Sequence, residues 1–255
     1  MVADPEHAGT PATEKEPLVS DAPERALVVM AHPDDADFSC AGTVALWARA
    51  GTEVVYLMAT DGEAGGDELT MDSAEIGAMR REEQRRAAAE AGVEDVRFLG
   101  YPDGRLEATL DLRRDIARVI RQVRPQRVVI PSPERDWDSI PASHPDHMAA
   151  GEAAINAVFP DARNPHAHRE LLYEEGLTPW AVPEVWVVGG PRPDHHSDIT
   201  EVFERKVAAL AAHKSQVGDI AELEPMLREW MAANATEAGL PEGHLAEPFR
   251  VVRIG

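Results

Sequence analysis

The chain has 255 residues, 44% of them hydrophobic, enough to bury one substantial core but not two independent domains of ordinary size. Its formal net charge of -21 repels a phosphate backbone, and no basic cluster interleaved with aromatics opposes that field, so no nucleic-acid partner is expected. The single cysteine, Cys40, excludes an internal disulfide and an all-thiolate zinc site, so any metal must rest on histidines and carboxylates.

No run of 18 apolar residues marks a membrane span, and the first residues lack the charged-then-apolar order of a signal peptide. The expectation is a cytoplasmic protein with no membrane association. Residues 1–24 are polar, rich in Pro and Glu and without apolar periodicity. They are expected to form a flexible tail ahead of a single domain over 25–255.

From Ala26 the chain alternates. Ala26–Met30 is a short apolar run of buried-strand type, followed by a helix-compatible segment over Ala41–Ala50. Glu53–Ala59 reads as the next strand, and Ser73–Ala91 as a long helix stopped by Gly92. Val96–Leu99, a helix over Leu110–Val123, a break at Pro125 and the strand Arg127–Ile130 continue the rhythm. A helix begins near His144, after which the sequence loosens, with a strand at Val185–Val188, a helix over Glu201–His213 and a late strand at Phe249–Ile254. The stretch Asp161–Thr200 is the expected place for loops that shape a pocket. Alternation of this kind predicts an α/β three-layer sandwich, a mostly parallel sheet with helices on both faces.

In such a sheet ligands bind beyond the carboxyl ends of the strands, and the first strand runs directly into Ala31-His32-Pro33-Asp34-Asp35. A second cluster, Ser143-His144-Pro145-Asp146-His147, follows the Arg127–Ile130 strand and opens the next helix. Two such clusters can converge on one divalent ion with two histidines and one carboxylate, leaving positions open for water, as catalytic sites do. Asp146 is a candidate to orient a ligand imidazole, and Glu63, on the loop after the second strand, to face substrate. The same residues admit a non-haem iron triad of His32, Asp34 and His147, or a non-catalytic sugar-binding module whose carboxylates grip hydroxyls. Spacing alone does not separate Asp34 from Asp35.

These residues resemble the LmbE/PIG-L-like family of zinc-dependent N-acetylglucosaminyl deacetylases. The match runs through Ala31–Asp35, Gly42-Thr43, the Thr60–Glu63 loop, the Arg80–Val93 helix, Asp103-Gly104, His144–His147 and the pattern from Asp198 to Gln216. It implies a Rossmann-like fold and a hydrolase that removes an acyl group, typically acetyl, from an N-acylated amino sugar or related glycoconjugate. It also implies Zn2+, with Fe2+ as an alternative in vivo, on His32, Asp35 and His147. Asp34 would be the general base toward a water activated by the ion, and His144 the group that stabilises the oxyanion or protonates the leaving amine. Arg80 and Asp103 fall on matched segments, and His195 in a loop that the resemblance places near the active-site side. Many members carry Glu directly after HPDD, where this chain has Ala36, with Asp37 one place on. An amidase of thiol conjugates is the alternative within the family. The expected partner is a small-molecule substrate, and a homo-oligomer is left open.

Overall fold

The structure, a computed structural model, describes residues 22–66, 70–137 and 140–254. Residues 1–21 of the expected tail lie outside the described residues. The last of the tail is tied down: Thr52 Oγ1 donates to Pro23 O at 2.6 Å and Glu53 N to Glu24 O at 3.0 Å, so order begins ahead of Arg25.

Seven strands are described: β1 (Arg25–Met30), β2 (Glu53–Thr60), β3 (Asp95–Tyr101), β4 (Arg127–Pro131), β5 (Glu184–Val188), β6 (His195–Asp198) and β7 (Ala246–Arg253). They form one sheet in the order β3-β2-β1-β4-β5-β7-β6. The first five are parallel, and β7 runs antiparallel between β5 and β6. An open parallel sheet removes the barrel architecture that an iron oxygenase of the His-x-Asp type brings with it. The helices are α1 (Asp35–Ser39), α2 (Ala41–Arg49), α3 (Ser73–Glu90), α4 (Leu110–Val123), α5 (Pro145–Asn156), α6 (Arg169–Tyr173), α7 (Phe203–Ala211) and α8 (Ile220–Glu237).

The continuous apolar run of β1 is what a strand covered on both faces requires. Leu27 and Val29 pack toward Leu112, Ile116 and Ala150 of α4 and α5. Ala26, Val28 and Met30 pack toward Val44 and Trp47 of α2 and Ala88 of α3. Helix α3 starts with a capping box, Asp72 accepting from Glu75 N while Glu75 accepts from Asp72 N, a pairing that satisfies two otherwise orphaned donors. Helix α5 lies directly on the end of β4: a Cβ on Gly151 would meet Pro131 O at 2.2 Å, so only glycine lets the helix come this close.

A third cluster, Phe203, Leu210, Leu227 and Met231 among others, packs α7 and α8 against Ala45 of α2. Helix α8 was not expected from the sequence, and the expected helix over Glu201–His213 is a 3-10 turn followed by α7. Among the described residues no helix is long and apolar enough to cross a membrane. Strand order reverses about the β1/β4 pair, which creates the crevice where open α/β sheets bind ligands.

Candidate active site

The loop after β1 folds back on itself. Asp34 has φ 90°, a left-handed conformation that costs a non-glycine residue energy and is found at functional sites. Asp35 then opens α1, and its Oδ2 accepts from the backbone N of its neighbour His32 at 2.9 Å. On the other side of the crevice His144 caps α5: its Nδ1 accepts from Asp146 N at 3.2 Å. The held α5 turn places His147 beside Asp35.

Asp35 joins the two clusters. Its Oδ1 lies 3.0 Å from His147 Nε2 and its Oδ2 3.5 Å from His32 Nδ1. The edges of a tetrahedral zinc site with bonds of about 2.0–2.1 Å are about 3.3 Å, and each imidazole stands about one such edge from an oxygen of Asp35. His144 also presents a nitrogen within 4.8 Å of His32 and His147, but its Nδ1 is engaged by the helix cap and its side chain stands exposed. Asp35 differs from His144 in touching both imidazoles and in bringing negative charge.

Electrostatics point the same way. His32 Nε2 lies 3.0 Å from Asp103 Oδ1 and 3.2 Å from Asp146 Oδ2. Burial alone would lower its pKa, but bonds to Asp103 and Asp35 outweigh burial and push it up to about 11. His147 is likewise raised, the Asp35 bond overcoming burial. Asp35 is itself held well below the usual carboxylate range, the bonds to His147 and His32 outweighing burial. Asp103 is lowered to about 2, its bonds to His32 and Ala64 N overcoming burial. The ion-free site thus gathers protons to balance its carboxylates, a charge that a divalent cation would supply.

Asp34 has a different environment. Burial, and then the charge on Asp35, raise it to about 7 against the opposing pull of Arg80. Arg80 is buried, and its Nη2 donates to Asp34 Oδ2 at 3.0 Å and to Pro33 O at 2.8 Å while Nη1 donates to Gly62 O at 2.8 Å. Two adjacent carboxylates pushed apart in this way suit one for a ligand and the other for a base. His144 is lowered by burial and by the charges on His32 and His147. With Nδ1 accepting from Asp146 N, its proton sits on Nε2.

Four of the five supporting candidates come together here. Asp146, buried rather than exposed at the helix start, accepts from Gly104 N at 2.7 Å and Leu106 N at 3.2 Å beside His32. Glu63 accepts from Asp103 N at 2.8 Å, and Asp103 Oδ2 accepts in return from Ala64 N at 2.9 Å. Glu63 therefore holds the Asp103 loop. Arg80 holds Asp34. His195 is not brought into this group: at the start of β6 its ring stacks on Trp186 with centroids 4.6 Å apart, and burial and Arg127 lower it. Arg127 opens β4, at the end of the sheet opposite His32. His168 pairs with Asp161 at 3.1 Å.

Sequence reasoning missed the layer beneath. Asp34 N donates to Gln84 Oε1 at 2.8 Å, Gln84 Nε2 donates to Asp37 Oδ2 at 2.9 Å, and His213 Nε2 lies 2.8 Å from the same oxygen. Buried Lys206 donates to Asp37 O, Phe38 O and Glu247 Oε1, and Glu247 accepts from Gly42 N and Thr43 N. This network fixes the turn between β1 and α2. The signal was polar residues on the inward stripes of α3 and α7, within segments matched to the family without a role.

The profile of the PIG-L family, described as GlcNAc-PI de-N-acetylase, matches residues 27–158. Over 207 residues the chain is 35% identical to the diacetylchitobiose deacetylase of Thermococcus kodakarensis, covering 80% of this chain and 75% of that protein. Over 195 residues it is 34% identical to a probable N-acetyl-alpha-D-glucosaminyl L-malate deacetylase 2 of Bacillus cereus, covering 74% of this chain and 82% of that one. The solved structure of N,N'-diacetylchitobiose deacetylase from Pyrococcus horikoshii, complexed with an inhibitor, is similar with a TM-score of 0.82 at 29% identity, covering 91% of this chain and 84% of that one.

Proposed function

This chain belongs to the PIG-L family of de-N-acetylases, and from that premise we propose that it is a zinc-dependent deacetylase cleaving the amide bond of an N-acetylated amino sugar. The observation that carries the reading is Asp35 standing between His32 and His147 with Asp34 next to it in a different protonation regime. His32, Asp35 and His147 would hold the ion. When bound, it supplies Lewis-acid chemistry, polarising the amide carbonyl and acidifying water.

Asp34 takes a proton from water as the water oxygen bonds to the acetyl carbon. His144 Nε2–H donates to the oxygen on which negative charge develops. The C–N bond then breaks, its electron pair going to nitrogen, and Asp34 returns the proton there, leaving a free amine and acetic acid, which loses its proton to solvent to give acetate. Arg80 keeps the Asp34 carboxyl aimed through this cycle. The test is release of acetate and free amine in equal amounts across a panel of N-acetylated sugars, including diacetylchitobiose. Binding of those sugars without any acetate would favour the sugar-binding module instead.

Metal binding should also expel protons. The pKa of His32 is raised from 6.5 to about 11, so its protonated form stabilises the ion-free protein fully below pH 6.5, and that contribution is lost as pH rises toward 11. A zinc ion competes with this proton, so apparent affinity should climb by about tenfold per pH unit through that window for one proton displaced. Calorimetry of zinc binding at pH 8 in buffers of different ionisation enthalpy should find about one proton or more released per ion. No release would place zinc away from His32.

A further inference from the structure

A cavity of about 250 Å³ opens between α8, the carboxyl end of β5 and the start of the β7 return. Two of its lining residues tie it to the metal cluster. Ser39 is one helical turn beyond Asp35, and its hydroxyl donates to Asp35 O at 2.6 Å. Asp136 N donates to Ser143 Oγ at 2.7 Å, next to His144. Strand β5 adjoins β4, whose following loop carries His144, so the cavity, lined by β5 and β7, lies on the same edge of the sheet as the crevice at β1 and β4, about two strand spacings along it.

Its walls are mostly apolar: Val188, Pro193, Trp230, Met231 and Phe249. The charged groups are one carboxylate, Asp136, and one guanidinium, Arg250, which leave no net charge for an anionic group to seek. Ser39 already spends its proton on Asp35 O. A hydroxyl-rich second sugar would find few partners here. Trp230 is 46% exposed and Met226, one turn earlier on α8, 59% exposed. The loop that carries Asp136 also exposes Trp137 and Ile140. Exposed large apolar side chains thus concentrate on the two segments flanking the cavity, as they do where an apolar ligand is received.

We propose that this cavity is an aglycone subsite that takes an uncharged apolar group, aryl or branched alkyl, attached to the N-acetylated sugar. The proposal rests on the deacetylase reading and narrows its substrate class. Trp230 and Met231 would be specificity-determining residues, covering the aglycone while the acetamide reaches His32 and Asp34.

The test compares the phenyl and methyl β-glycosides of N-acetylglucosamine with diacetylchitobiose and the malate glycoside. Burying a ring of this size should lower the KM of the phenyl glycoside roughly 10- to 100-fold below that of the methyl glycoside, with similar kcat. Trp230→Ala, at an exposed position, should erase most of that advantage with zinc content unchanged, and Met231→Leu, which keeps the core filled, should reduce it. Tyr173→Ala, exposed on α6, serves as a control that should change nothing. Calorimetry of the phenyl glycoside binding to wild type and Trp230→Ala reads the same subsite without turnover. If no glycoside yields acetate, the deacetylase reading fails while this binding difference still supports the subsite. Equal KM and binding for phenyl and methyl glycosides, a phenyl advantage that survives both substitutions, preference for chitobiose or malate, or dissociation of an oligomer by Trp230→Ala would each overturn it.

Discussion

Asp34→Asn should leave zinc bound and lower turnover by on the order of 10²–10⁴, the scale of losing a positioned general base. The substitution removes little else. Asn is tolerated in the left-handed conformation that Asp34 adopts, its side-chain oxygen can still accept from Arg80, and its backbone N can still donate to Gln84. What it lacks is the capacity to take a proton at neutral pH. Excess zinc should therefore not rescue it. The acid limb of wild-type activity belongs to the same group: the ionised base is lost as pH falls, so kcat should decline by about tenfold per unit below the pKa of Asp34 in the zinc-loaded enzyme. The cation draws that pKa below the value of about 7 that burial and Asp35 set without it. Retained turnover in the Asn variant would assign the proton to another residue.

Asp35→Asn should fail in the opposite order. The carboxylate lies 3.0 Å from His147 Nε2 and 3.5 Å from His32 Nδ1, so one negative charge touches both imidazoles. A neutral amide there binds a hard or borderline cation weakly, and zinc affinity should fall by more than the roughly 10–100-fold seen when a group that merely orients a ligand is removed. Activity falls as a consequence, and excess zinc should restore part of it. A zinc titration followed by metal content and by turnover separates the two variants. The reversed pattern would exchange the roles of the neighbouring carboxylates.

The parts of this site legible in the sequence are those where chemistry sits at a strand end. Residues Ala26–Met30 announce a strand covered on both faces, and His32, Asp34 and Asp35 follow within five positions. Pro145 directly after His144 marks a helix start, and the structure uses both residues so, as N-cap and first helical position. Burial of Asp146 was open because its acceptors' partners, Gly104 and Leu106, lie 40 or more positions away. The Gln84–Asp37–His213 layer is likewise assembled by packing α3 and α7 over α1, which no local pattern encodes. Helix α8 escaped notice because Pro225 sits inside it and its polar and apolar residues alternate weakly. His195 was expected on the active-site side because the family resemblance placed its loop there, but the turn into β6 carries its ring onto Trp186, away from the contacts of His32.

The most direct test of the account is the rate of acetate release from an N-acetylated amino sugar as metal-stripped protein is titrated with zinc. The prediction is negligible release without metal, a linear rise to about one equivalent per chain, as a single three-ligand catalytic site requires, and then a plateau. Full activity in the stripped protein, or no acetate from any N-acetylated sugar at one equivalent of bound zinc, would contradict it.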